Sequence, residues 1–261
     1  MAHIKLYVLE NGKLVGPKTN SVADADPSEL QTAPIFSVLI EHPDGPLLLD
    51  AGCHTDEKRQ HPMIFKDFTM RPEDHIESRL AALGVRPADI RRVVVSHLHA
   101  DHSGYLELFQ NAEFFVHEDE FTQRVKLYAL NDASAGSNGD IAFWISLGLR
   151  WTLIPAEEPE REILPGVRVL NFGAGHSFGM LGLLVELSKT GKVLLAGDAV
   201  YNRENAGPPV RLPGNVCDRE GFIRTVRRIV RRAKDENALL WYGHDEAQFA
   251  ALIKSTEGCY E

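Results

Sequence analysis

The run Ser96-His-Leu-His-Ala-Asp-His-Ser-Gly104 constrains this chain more than any other stretch. It sets His97, His99, Asp101 and His102 within six residues, directly after the apolar Val93-Val-Val95. Only eleven histidines occur in 261 residues, so three of them beside an aspartate at this spacing do not read as a chance grouping. Imidazole and carboxylate are the donors that suit zinc and similar divalent ions. A short buried strand followed by a turn can aim four such side chains at one point. The plainer alternative is a polar loop in which Asp101 or Ser103 caps the next helix.

Four ligands are too few for two ions, and three later positions have the form to complete such a site. His176 lies in the glycine-rich turn Gly173-Ala-Gly-His-Ser-Phe-Gly179. Asp198 ends the apolar run Leu194-Leu-Ala-Gly-Asp198, and His244 ends Leu239-Leu-Trp-Tyr-Gly-His244. Singly, each reads as an ordinary turn residue. Together they repeat one setting, in which an apolar strand gives way to a small residue and then to a ligand. Convergence on one edge of a sheet accounts for all three.

Elsewhere, alternation and turn residues predict strands over residues 4–9, 35–40 and 47–49, the last two joined at His42-Pro-Asp-Gly45. Residues 11–33 read as polar and turn-rich. Helical spacing at Ile76, Leu80 and Leu83 ends at Gly84, a C-cap residue. Further strands are expected at 113–117, 150–154, 167–171, 181–187, 193–197 and 238–242. Helices are expected near 118–130, 220–233 and 246–254, with 131–140 a loop. Strands in hairpins with helices between groups imply two β-sheets packed face to face with helices outside, not a regular βαβ winding. All 261 residues are expected to form one domain.

A net charge of −9 argues against a broad nucleic-acid or anionic-membrane surface. The Arg-rich stretch 224–232 carries apolar residues at helical spacing and reads as a solvated helix face. Three widely spaced cysteines make no disulfide framework. The first ten residues lack an apolar signal core, and no stretch has the ~18 apolar residues of a membrane span. A cytoplasmic protein is expected. The oligomeric state stays open, a homodimer included.

The chain resembles the metallo-β-lactamase superfamily, whose H-x-H-x-D-H signature is met by residues 97–102. The resemblance runs from Asp50-Ala-Gly52 to Gly243-His-Asp245. It implies an α+β fold, the αββα sandwich, with the site along one edge of the sheets. It implies that His97, His99 and His176 hold one metal ion, that Asp101, His102 and His244 hold the other, and that Asp198 bridges them. His99 stands where the redox di-iron branch has glutamate, so two zinc ions and hydrolysis are favoured. A closer resemblance is to the N-acyl-homoserine lactone lactonases. It is carried by Asp198-Ala-Val-Tyr201, similar to their D-A-x-Y, and by Tyr242-Gly-His-Asp245, similar to their F-G-H-D. Ala100 replaces the usual aromatic of the first motif, and Gly173-Ala-Gly-His-Ser-Phe-Gly-Met180 departs from T-P-G-H-x-x-G-H.

The resemblance implies opening of a lactone ring by a hydroxide shared between two ions. Tyr201 would donate to the carbonyl oxygen, and Asp101 would protonate the leaving alkoxide. Asp50 is the leading candidate to orient an imidazole from behind. Phe65, Phe68, Phe143 and Trp144, in the irregular segments 54–71 and 131–145, are candidates for a pocket against an apolar part of the substrate, with core packing the alternative for each. Other hydrolases of the same fold (a thioesterase, a β-lactamase, a phosphodiesterase) and a non-catalytic metal-binding protein remain the rival readings. A small-molecule ester, with neither nucleic acid nor membrane, is the expected partner.

Overall fold

In the computed structural model, residues 3–56, 66–132 and 139–261 are described. The chain opens with β1 (Lys5–Pro17) and β2 (Leu30–Glu41), a long antiparallel hairpin paired from Lys5↔Glu41 to Pro17↔Leu30. A bulge interrupts it between Glu10 and Lys13. The expected turn-rich segment 11–33 is therefore corrected at both ends: 11–17 and 30–33 are strand. The far end of β1 alternates exposed and half-buried residues, and an antiparallel strand with one wet face needs no apolar run.

Next come β3 (Leu47–Leu49), β4 (Phe68–Thr69), helix α1 (Ile76–Ala82), β5 (Arg92–Val94) and the single turn α2 (Ala100–Ser103). Then follow β6 (Glu113–His117), α3 (Glu118–Ala129), α4 (Gly139–Ser146) and β7 (Arg150–Ile154). These strands make a seven-stranded sheet in the order β4-β1-β2-β3-β5-β6-β7, with β3, β5, β6 and β7 mutually parallel.

The second sheet has the order β12-β11-β10-β9-β8. It is built from β8 (Glu160–Leu164), β9 (Val167–Gly173), β10 (Met180–Leu187), β11 (Gly191–Leu195) and β12 (Ala238–Trp241). Helices α5 (Arg203–Ala206), α6 (Arg219–Asp235) and α7 (Glu246–Ala251) complete the described chain. β8 has no counterpart among the expected strands, because Glu160-Arg-Glu162 hides its short apolar end. α4 was expected as the end of a loop followed by apolar residues.

Side chains alternate between two buried faces. Leu47, Leu49, Val94 and Phe115 face Leu181, Leu183, Val193 and Leu195 between the sheets. Leu48, Val93, Phe114 and Val116 turn outward onto Ile76, Leu80 and Phe109. On the far side of the second sheet, Leu184 and Leu194 meet Phe222, Val226 and Ile229 of α6. The layers are helix, sheet, sheet, helix, as expected. Arg224, Arg227 and Arg231 of α6 are exposed, whereas Arg228 reaches back to the sheet, its Nη2 donating to the carbonyls of Asn171 and Phe172 in β9.

Trp144 takes the core-packing alternative: it is 2% exposed in the outer core, its ring centroid 6.2 Å from that of Trp151. Phe143 lies exposed on the same helix, and Phe68 is half-buried on the edge strand β4. Phe65 lies outside the described residues. Among those described, no helix is long and apolar enough to cross a membrane.

Leu183 is fully buried opposite Leu195 and Val169. Leu183→Ala is expected to cost roughly 2–5 kcal/mol in urea unfolding. Leu239→Ala, at a half-exposed edge position, should cost no more than about 0.5 kcal/mol. Equal costs would contradict the layering.

Candidate metal centre

Five chain segments reach one edge of the sandwich. β3 runs into Asp50 and β5 into His97; the β9–β10 turn carries His176, β11 runs into Asp198, and β12 into His244. Backbone bonds lock these ends together. Leu181 N donates to Ser96 O across the two sheets (2.9 Å), Ala51 N to His102 O (2.7 Å) and His244 N to Tyr201 O (2.7 Å).

The imidazoles and carboxylates form three overlapping groups, each with ligand atoms within 4.8 Å of one another: His97, His99 and His176; His97, His102 and Asp198; Asp101, His102 and His244. His99 Nδ1 lies 2.9 Å from His97 Nε2 and 2.8 Å from His176 Nε2. Asp101 Oδ2 lies 3.6 Å from His102 Nε2 and 3.5 Å from His244 Nε2. Asp198 stands between them. Its Oδ2 faces His176 Nε2 (3.5 Å) and His97 Nε2 (3.9 Å), and its Oδ1 faces His244 Nε2 (3.0 Å) and His102 Nε2 (3.4 Å). All are buried except His99, which is partly exposed.

The outward ring nitrogens are held from behind. His102 Nδ1 donates to Asp50 Oδ2 (2.8 Å), His176 Nδ1 to Asn215 O (2.8 Å) and His244 Nδ1 to Pro34 O (2.9 Å), while His97 Nδ1 lies 3.1 Å from Ser96 Oγ. A proton fixed on Nδ1 leaves Nε2 bare and pointed inward, the tautomer a metal ligand needs. Asp50 also accepts from Ser96 N (2.7 Å) and Ser96 Oγ (2.8 Å), with its own backbone at φ 61°.

The electrostatics suit a cation. Burial holds His97 and His99 well below the ordinary imidazole range, helped at His97 by His102 and at His99 by His176 and Arg124; burial lowers His176 too. His102 goes the other way: despite burial, Asp198, Asp101 and Asp50 hold it well above that range. His244 is likewise raised against its burial by Asp198. Neutral imidazoles on one side and carboxylates on the other are donors that a divalent cation takes, in place of the protons the carboxylates otherwise draw onto His102 and His244. His102 Nε2 and Asp198 Oδ1 are buried without a regular hydrogen bond, which also fits atoms built to ligate. Gly243 leaves room for this. A β-carbon there would run into Asp198 Oδ1 and the Gly197 backbone.

Tyr201 is half-buried, its hydroxyl 3.1 Å from His176 Nε2 and 3.2 Å from His176 Nδ1. Desolvation, then the Asp198 and Asp101 carboxylates, push its phenol well above the ordinary range, so it stays a donor. Ser103, read from sequence as a cap, donates its Oγ to His99 O (2.8 Å). The structure brings together all seven ligands expected from the sequence, with Asp50 and Tyr201 beside them. It adds Ser96, Asn215 and Pro34, which the sequence does not mark out. Ser96 had one available signal, its place between strand and ligand; the other two act through backbone carbonyls, which any residue carries.

Residues 31–244 match the metallo-beta-lactamase superfamily. The N-acyl homoserine lactonase AiiB of Agrobacterium fabrum is 38% identical over 262 residues, covering 98% of this chain and 94% of that protein. An N-acyl homoserine lactonase of Bacillus cereus is 28% identical over 262 residues, covering 98% and 96%. The solved structure of an N-acyl homoserine lactone hydrolase, with the product N-hexanoyl-L-homoserine bound at its catalytic metal center, superposes with a TM-score of 0.84 at 27% identity and full coverage of both chains. The chain therefore belongs to the metallo-β-lactamase superfamily and, within it, to the N-acyl homoserine lactonase family. Its cluster of histidines and aspartates is a catalytic metal centre.

Removing the cation should leave the carboxylates of Asp50, Asp101 and Asp198 poorly balanced. EDTA treatment is expected to lower the thermal midpoint, by the equivalent of about 4 kcal/mol if free ion had stood at 1,000 times Kd. Adding back a divalent cation should restore it. A midpoint indifferent to chelator would mean that these residues hold no ion in the folded chain.

Proposed function

We propose that this chain is a lactonase that opens the ring of N-acyl-homoserine lactones at a centre of two zinc ions. One group of ligands is His97, His99 and His176. The other is Asp101, His102 and His244, and Asp198 bridges the two. Nitrogen and oxygen donors of this kind suit zinc, although manganese, iron and cobalt accept the same set. When bound, two such ions supply Lewis acidity and bring the pKa of a water toward neutrality.

The observation that carries the reading is the position of Tyr201, a protonated phenol at the junction of both groups, in a chain 38% identical over its length to a named lactonase. The Tyr201 hydroxyl donates to the carbonyl oxygen of the lactone as that oxygen gains charge. Asp101 takes the proton of the attacking water and returns it to the ring oxygen as the C–O bond breaks. The product is the open hydroxy acid, with one water consumed. Asp50 keeps His102 in the tautomer that leaves Nε2 free. No serine or cysteine nucleophile is required.

A panel of N-acyl-homoserine lactones, a thioester, a β-lactam and a phosphodiester, followed by a pH indicator, tests the reading. Lactone turnover should lead by orders of magnitude; preference for another class would replace the proposal with that hydrolase. Tyr201→Phe is expected to lower kcat on the lactone by roughly 10²-fold at unchanged metal content. Wild-type kcat in that variant would remove Tyr201 from the reaction.

A further inference from the structure

Glu120 lies on α3, outside every ligand group, and is wholly buried. Its two carboxylate oxygens serve two different loops. Oε1 accepts from Leu98 N (3.0 Å), the amide between the ligands His97 and His99. Oε2 accepts from Ser177 Oγ (2.6 Å) and Phe178 N (3.0 Å), the residues that follow His176. The His97–His99 loop leaves the first sheet and the His176 turn belongs to the second. One side chain therefore ties together the backbone on both sides of the His97, His99 and His176 group.

A second residue holds the carboxylate in place. Arg124, one turn along α3 and also buried, donates Nε to Glu120 Oε1 (3.2 Å) and Nη2 to Ser177 Oγ (3.2 Å). The two charges neutralise each other behind a site that must accept a cation. A buried charge left without its partner is strongly destabilising, so the pair acts as a unit.

We infer that Glu120 is the positioning residue of the first ligand group, fixing the spacing of His97 and His99 against His176 through the amides of Leu98 and Phe178. A carboxylate suits this role because both partners are backbone donors and it can only accept. Glutamine at the same place presents an NH₂ to one of the two amides, donor against donor. Asp50 does the corresponding work for His102, so each ligand group has its own buried acid.

The inference rests on the metal-centre reading. It is tested by stepwise release of zinc to a competing chelator and by the absorption spectrum of the cobalt-substituted protein. His176→Ala serves as the reference for a damaged first group and His244→Ala for a damaged second. Glu120→Gln is expected to keep the fold by circular dichroism, to weaken first-group binding 10- to 100-fold, and to leave the second constant unchanged. Its cobalt spectrum should move toward that of His176→Ala. Ser177→Ala, which removes the hydroxyl's bonds to Glu120 and Arg124 but keeps the Leu98 and Phe178 amides on the carboxylate, should weaken the same constant by roughly 5- to 10-fold and decides the matter if Glu120→Gln does not fold. Wild-type constants in the folded variants, or equal weakening of both groups, overturn the inference while leaving the metal centre intact. A wild-type chain that binds no divalent cation overturns both.

Discussion

Everything at this edge of the sandwich depends on the burial of one carboxylate. Asp198 is 1% exposed, and taking an unpaired carboxylate out of water costs several kcal/mol. It is compensated from both sides, with His97 and His176 facing one oxygen and His102 and His244 the other. No single strand could supply that shell. Four segments from two sheets have to end at the same place, and the inter-sheet bond from Leu181 N to Ser96 O holds them there. The apolar layer between the sheets makes the convergence rigid, and the site inherits its precision from that packing.

The shell of imidazoles needs orienting, and the fold does this with acceptors rather than with more ligands. Asp50 fixes Ser96 and His102; Glu120 fixes the amides beside His97, His99 and His176; the carbonyls of Asn215 and Pro34 fix His176 and His244. Every one of these groups accepts a hydrogen bond, so protons are drawn outward and bare nitrogens are left inward. The same logic accounts for the three buried acids near the centre. Asp50, Asp101 and Asp198 add negative charge where a cation belongs, whereas Glu120, farther back, is balanced by Arg124 and adds none.

How much of this was legible in the sequence follows from whether a feature is local. The cluster at 97–102 is local, so it announced itself. His176, Asp198 and His244 lie far apart, yet each repeats the setting of strand, small residue and ligand, and together they were readable. The αββα layering followed from hairpins alternating with helices. Glu120 was invisible because nothing in Glu118-Asp-Glu120, three acids opening a helix, distinguishes the one that turns inward. Asn215 and Pro34 act through backbone. The far end of β1 was missed because its register comes from β2 and not from its own polar residues, and Trp144 reads the same whether it lines a pocket or packs a core.

The exposure of the centre also limits how a substrate can arrive. Of the proposed ligands and Tyr201, only His99 and Tyr201 are partly exposed. Both lie against His176, whose Nε2 is 2.8 Å from His99 Nδ1 and 3.1 Å from the Tyr201 hydroxyl. A carbonyl group approaching from solvent therefore meets the phenol and the first ligand group before it reaches Asp101, which is buried beside His102 and His244. That order suits the ring opening proposed above, in which Tyr201 is the oxyanion donor and Asp101 the proton carrier. Ala100 fits the same geometry. It is 2% exposed between His99 and Asp101, so at that point the motif sends no side chain toward the entrance. On the proposed reading, discrimination among acyl chains falls to residues around the entrance, outside the cluster that carries the chemistry.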